Sequence, residues 1–170
     1  MIINLNNLVK VLAENPERTV VLASGTFDLF HYDHLRYLTE AKMHGDTLVV
    51  AVKSNKCARL KGRNRPIIDE EERMAIVDNI KCVDYTILVD YDENVEIQTE
   101  YDNEPQRQWL IMFEEVFKQL RPNILYHEDN PALKNARERL FEKYGVKGEP
   151  KPRGDRESTS EIIKKIAEGR

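Results

Sequence analysis

The chain has little with which to staple itself. Two cysteines, Cys57 and Cys82, stand apart in 170 residues and show no metal-ligand spacing. A disulfide scaffold and a zinc ribbon are thereby excluded, and reduced thiols are expected. No apolar run approaches the roughly 18 residues of a membrane span. Asn4, Asn6 and Asn7 interrupt the apolar N-terminus, so a secretory signal is not expected either. These absences predict a cytoplasmic protein with no membrane partner. Excess positive charge is also missing. The formal net charge is −4, which argues against a nonspecific nucleic-acid binder. No internal repeat or low-complexity segment is visible. What remains is a globular chain with 41% hydrophobic residues and the length of one domain with a sizeable core. One domain over 1–170 is expected, with an N-terminal helix inside 1–18.

The charges are segregated. Lys53, Lys56, Arg59, Lys61, Arg63 and Arg65 fall in one stretch without an acidic residue. The stretch reads as a loop that seeks phosphate or, alternatively, as a merely solvated one. Asp84, Asp90, Asp92, Glu93, Glu96, Glu100, Asp102 and Glu104 follow without a basic one. Residues 90–106 read as an acidic, solvated insertion.

Hydrophobic periodicity orders the chain. Leu5, Leu8, Val9, Leu12 and Ala13 lie on one helical stripe that Asn15-Pro16 ends. It is expected to pack on a sheet edge or a partner. Residues 19–24 and 47–53 are continuous apolar runs, which predicts strands buried on both faces. Between them a helix is expected to about His44, with Gly45 as its stop. Strand, helix and strand in this space make a right-handed βαβ unit. Asp69 is placed to cap a helix through about Ile80, and Tyr85 to Val89 reads as the next strand. A helix with a wide apolar face resumes at Trp109. Pro122 to Asn130 carries a parallel strand and its loop, residues 131–143 a helix, and the region near Val146 a short strand. The last helix follows Ser158-Thr159-Ser160. The expected fold class is an α/β three-layer sandwich with a Rossmann-like parallel sheet of about five strands.

The chemistry is concentrated between the first strand and its helix, in Gly25-Thr26-Phe27-Asp28-Leu29-Phe30-His31-Tyr32-Asp33-His34. Gly25 permits a tight exit from the strand. The loop that follows lies at a strand's carboxyl end and faces a helix N-terminus, where anions settle. His31 and His34, three apart on the first turn, point the same way. They could hydrogen-bond to phosphoryl oxygens and stabilise charge developing at phosphorus, or simply cap a helix. The basic stretch leaves the second strand at the same rim.

These residues resemble the GTFDxxHxGH signature of the cytidylyltransferase-like nucleotidyltransferases, relatives of the class I aminoacyl-tRNA synthetases with their HIGH motif. Leu60 to Ile67 with Glu72-Arg73-Met74 is similar to the KGxxRPI…ERM segment of the nucleotidyltransferase domain of ADP-heptose synthases, and Ser158 to Ile163 to that family's STSxII ending. Glycerol-3-phosphate cytidylyltransferase shares the first motif. The resemblance implies a HIGH-type nucleotidyltransferase that moves a nucleotidyl group from ATP or CTP to a phosphorylated sugar or polyol and releases pyrophosphate, with Mg²⁺ carried by the nucleotide. ATP with a sugar 1-phosphate is favoured, and CTP with glycerol 3-phosphate or a similar polyol phosphate is the second choice. His31, His34 and Lys61 would be catalytic. Gly25, Thr26, Phe27, Asp28, Arg63, Arg73, Asp129, Arg153, Ser158, Thr159 and Ser160 would hold the nucleotide. The family's habit of pairing implies a homodimer. One departure stands out: Asp33 occupies the position of the motif's second glycine. A carboxylate there needs a divalent cation or nearby lysines to offset it, and the alternative reading is a nucleotide-binding pseudoenzyme or regulatory subunit.

Overall fold

A computed structural model describes residues 1–60, 62, 64–91, 104–151 and 159–169, the side chains of 104–106 excepted. Val20–Gly25 (β1) and Thr47–Lys53 (β2) form where the apolar runs require strands covered on both sides. Successive side chains go to opposite layers. Val20 and Leu22 join Val49 and Ala51 in one cluster, while Val21 and Ala23 join Leu48, Val50 and Val52 in the other. Tyr85–Val89 (β3), Ile124–Glu128 (β4) and Lys147–Lys151 (β5) complete an all-parallel sheet in the order β3-β2-β1-β4-β5. The expected α/β sandwich is the fold observed.

The helices are Leu5–Ala13 (α1), Tyr32–Lys42 (α2), Asn55–Arg59 (α3), Glu70–Asp78 (α4), Glu104–Leu120 (α5), Lys134–Tyr144 (α6) and Thr159–Ala167 (α7). A 3₁₀ turn, Pro131–Leu133, leads into α6. Helices α1, α5 and α6 cover one face of the sheet, and α2 and α4 the other. The wide apolar face of α5 is consumed by this core: Trp109, Phe113, Val116 and Phe117 are buried, and the Trp109 and Phe113 rings stack 4.8 Å apart. Helix α1 packs on α5, and the residues before it run beside the outer edge of β3, where Thr86 N donates to Met1 O and Ile3 N to Thr86 O. A sheet edge thus loses its unpaired backbone groups. Among the described residues, no helix is long and apolar enough to cross a membrane.

Two expectations need correction. The stretch after β2 is not all loop. Ser54 caps α3 by accepting from Cys57 N at 3.1 Å, and Cys57 and Ala58 anchor the turn in the core. Helix α2 stops at Lys42 with Met43 as its cap, so Gly45 is not a left-handed stop. Its reason is close approach, since a Cβ there would meet Thr19 O at 2.7 Å. The expected short strand near Val146 is observed as β5, a parallel partner of β4.

Candidate active site

The sheet's connections reverse direction between β1 and β4, and there the carboxyl ends of neighbouring strands part to leave a crevice. The paired register stops at Ala23 opposite Tyr126. Past it, the Tyr37 hydroxyl fills the split: it donates to Tyr126 O at 2.7 Å and accepts from Ser24 N at 3.3 Å. Burial drives the Tyr37 phenol far above its ordinary value, so it stays a donor.

The loop from Gly25 to His31 is folded by its own side chains. Phe27 is buried, and its ring lies so close to Gly25 that a Cβ there would approach it to 2.8 Å. Phe27 and Leu29 take left-handed backbone angles, φ 54° and 42°, conformations that side chains resist and that a surrounding structure must enforce. The Thr26 hydroxyl is buried and has no hydrogen-bond partner among the described residues.

His31 caps α2. Its Nδ1 accepts from Asp33 N at 3.3 Å, and His34 Nδ1 accepts from His31 N at 3.4 Å. With Nδ1 accepting in both rings, the hydrogen of each neutral imidazole belongs on Nε2. The two rings stack 3.9 Å apart, and the ring of Phe27 meets His34 edge-on at 5.4 Å. Burial, aided by the Lys151 ammonium and opposed by Asp33 and Glu128, holds His31 below the usual imidazole range. His31 Nε2 lies 3.2 Å from the Thr159 hydroxyl, which in turn donates to Asp28 O. The start of α7 is thereby tied to the histidine loop.

The segment after the basic stretch closes the third side. Arg65 donates to Asp28 Oδ2 at 3.0 Å and to the Ser160 hydroxyl at 3.0 Å. The backbone N–H groups of Ile67 and Ile68 also donate to the Asp28 carboxylate. Burial alone would raise the Asp28 carboxyl, but these N–H groups and Arg65 outweigh it, and it sits below its ordinary value. Asp28 therefore fastens the 65–68 segment to the histidine loop. Arg73 is likewise a fastener. Fully buried, it donates to Thr26 O, Lys53 O, Ile68 O and Asn55 Oδ1. It ties together main-chain carbonyls of the loop after β1, the end of β2 and the segment before α4.

On the other side of the crevice, Arg137 donates to Glu128 O and Asn130 O and holds the loop after β4. Asp129 is largely exposed on that loop, with Arg137 its charged neighbour at 3.9 Å. The charge of Asp33 is offset twice, by Lys151 at 2.6 Å and by Arg36 at 2.8 Å. These cations overcome the burial that would raise its pKa and hold Asp33 below the ordinary carboxylate value. The sequence expectation of a neighbouring lysine is met by a residue 118 positions away.

The structure thus gathers Gly25, Thr26, Phe27, Asp28, His31, His34, Thr159 and Ser160 on one rim, with Arg73 beneath it. Lys61, Arg63, Arg153 and Ser158 lie outside the described residues, as does most of the acidic stretch. Tyr37 and Lys151 are the participants that the motif residues alone did not single out, while Arg65 is the arginine of the motif that runs from Lys61 to Ile67.

The model of the cytidylyltransferase-like family matches residues 22–165. The bifunctional protein HldE of Geobacter sulfurreducens is 32% identical over 167 residues, 96% of this chain and 30% of the relative. That of Syntrophotalea carbinolica is 34% identical over 155 residues, 88% of this chain and 27% of the relative. The chain therefore spans less than a third of these curated relatives. Among solved structures, a lipopolysaccharide core biosynthesis protein from Thermoplasma volcanium superposes with a TM-score of 0.60 at 30% identity, covering 81% of this chain and 99% of that one. A pantoate-beta-alanine ligase from Francisella tularensis superposes with a TM-score of 0.65 at 15% identity, covering 91% and 68%, a likeness of fold alone.

Proposed function

This chain belongs to the cytidylyltransferase-like family, and from that premise we propose that residues 1–170 form one nucleotidyltransferase domain acting on ATP or CTP and a phosphorylated sugar or polyol. The observation that carries the reading is the stacked pair His31 and His34 at the N-terminus of α2, with Nδ1 of each ring committed and Thr159, Ser160 and Arg65 brought to the same rim. A phosphate oxygen of the acceptor attacks the α-phosphorus in line. The bond from that phosphorus to the bridging oxygen of the β-phosphate breaks, and pyrophosphate leaves with the electron pair. The Nε2–H groups stabilise charge growing on the phosphoryl oxygens, and no covalent intermediate on the protein is needed.

Lys61 and Arg63 would grip the triphosphate, and Arg153 and Ser158 its terminal phosphates. Asp28 and Asp33, the carboxylates at the histidine loop, are both engaged by cations, so a magnesium ion would arrive on the nucleotide and would supply charge neutralisation for its phosphates. The neutralised charge of Asp33 favours an active enzyme over a nucleotide-binding pseudoenzyme. The similarity to HldE proteins supports ATP and a sugar phosphate ahead of CTP and a polyol phosphate. Pairing of two copies, which sedimentation would test, is part of the reading.

The test is pyrophosphate release with ATP or CTP across sugar 1-phosphates and glycerol 3-phosphate. Turnover is expected, and His34→Ala should lower it by about 10²–10³-fold with the fold intact. No turnover by the natural chain, combined with turnover in Asp33→Gly, would overturn the enzyme reading.

A further inference from the structure

We propose that Lys151 is a phosphate-contacting residue of this site, and that Asp33 is an internal counter-anion which the polyphosphate of the ligand exchanges with at that ammonium. The proposal rests on the nucleotidyltransferase reading and deepens it. Lys151 is the last residue of β5, and its ammonium reaches the first turn of α2 to meet Asp33 Oδ2 at 2.6 Å. Asp33 N in turn donates to His31 Nδ1, so the ammonium sits one residue from the proposed catalytic ring. The Lys151 side chain is only 5% exposed, which leaves its charge poorly screened by solvent.

An ammonium has three N–H donors. Among the described residues, one acceptor, Asp33, lies within hydrogen-bond distance, and the face of the Tyr37 ring lies 5.7 Å away. Donor capacity is left over. The carboxylate stands at the positive end of α2, where an incoming phosphate would otherwise be favoured. It can give way without being stranded, because Arg36 holds its other oxygen at 2.8 Å. The Asp28 and Arg65 pair differs, since Asp28 is also bound by two backbone N–H groups. Phosphate therefore takes the ammonium from Asp33 on binding, and Asp33 recovers it when pyrophosphate leaves.

The experiment is calorimetric titration of the full chain with inorganic pyrophosphate, with circular dichroism as the check on folding. Lys151→Met should weaken binding by about tenfold or more. Asp33→Asn should tighten it by about three- to tenfold, because a competing negative charge is removed. The double variant Lys151→Met/Asp33→Asn leaves no buried carboxylate without its lysine, and it should bind like Lys151→Met. Opposite signs for the two partners are what a purely structural ion pair would not give. Binding by Lys151→Met and the double variant within about twofold of the natural chain, or weaker binding by Asp33→Asn, overturns the proposal. Failure of the natural chain to bind pyrophosphate at all would overturn both this and the reading beneath it.

Discussion

The two sides of the crevice are held by different chemistry. On the side of β1 and β2, the fasteners join side chains to main chain. Arg73 gives its donors to carbonyls of the loop after β1, the end of β2 and the segment before α4, and Asp28 takes two N–H groups of that last segment. Where β5 meets α2, the hydrogen-bonded join among the described residues is one side chain to another, Lys151 to Asp33. A buried group satisfied by fixed backbone cannot leave without stranding several partners, whereas a pair of like strength with a third charge nearby can exchange. The first side is a frame and the second a contact open to ligands.

The sharpest way to break this contrast is Arg73→Met. It strands three carbonyls in the interior, and urea unfolding should show a loss of about 3–5 kcal/mol. A loss below 1 kcal/mol, on the same measurement, would mean that the loops hold without it. Asp28→Asn should cost about 2–3 kcal/mol near neutral pH. Because the folded Asp28 carboxyl lies below its ordinary value of 3.8, its contribution is present above that pH and lost as pH falls through the folded value. The variant should therefore unfold with a flatter acid limb than the natural chain, and an unchanged limb would remove Asp28 from the frame. Tyr37→Phe removes one hydroxyl from the split between β1 and β4 and should cost about 1 kcal/mol. A smaller thermal shift than a peripheral substitution produces would show that water takes its place.

Much of the frame was legible beforehand because its rules are local. A strand buried on both faces has to be a continuous apolar run, and β1 and β2 are such runs. Asp69 announces α4 because a carboxylate before three glutamates satisfies the free N–H groups of a helix start: it accepts from Glu71 N at 3.1 Å. Strand β5 was harder to read. Lys-Gly-Glu-Pro-Lys has no apolar pattern, and it is a strand because an edge position tolerates Pro150 and because Gly148 lets the Phe141 ring press on its backbone. Helix α3 hid inside a basic stretch since its anchor is only Cys57 and Ala58. In the site, the meeting of His31 with Thr159 and of Arg65 with Ser160 agrees with what strand ends and helix starts predict. The partner of Asp33 was foreseen only as a type of charge. Nothing near Lys151 in the sequence marks it as buried, because burial there is conferred by Asp33 across the molecule. The ties that Asp28 and Arg73 make between segments were not legible, because residue type alone does not show which main-chain groups a side chain will meet.

The contact between His31 and Thr159 spans 128 positions of sequence. Closing so long a loop is entropically slow, so the histidine pair acquires its hydroxyl neighbour late in the order of assembly. A nascent chain carrying only β1, α2 and β2 already has its signature residues, yet it gains a finished rim only when its final helix docks.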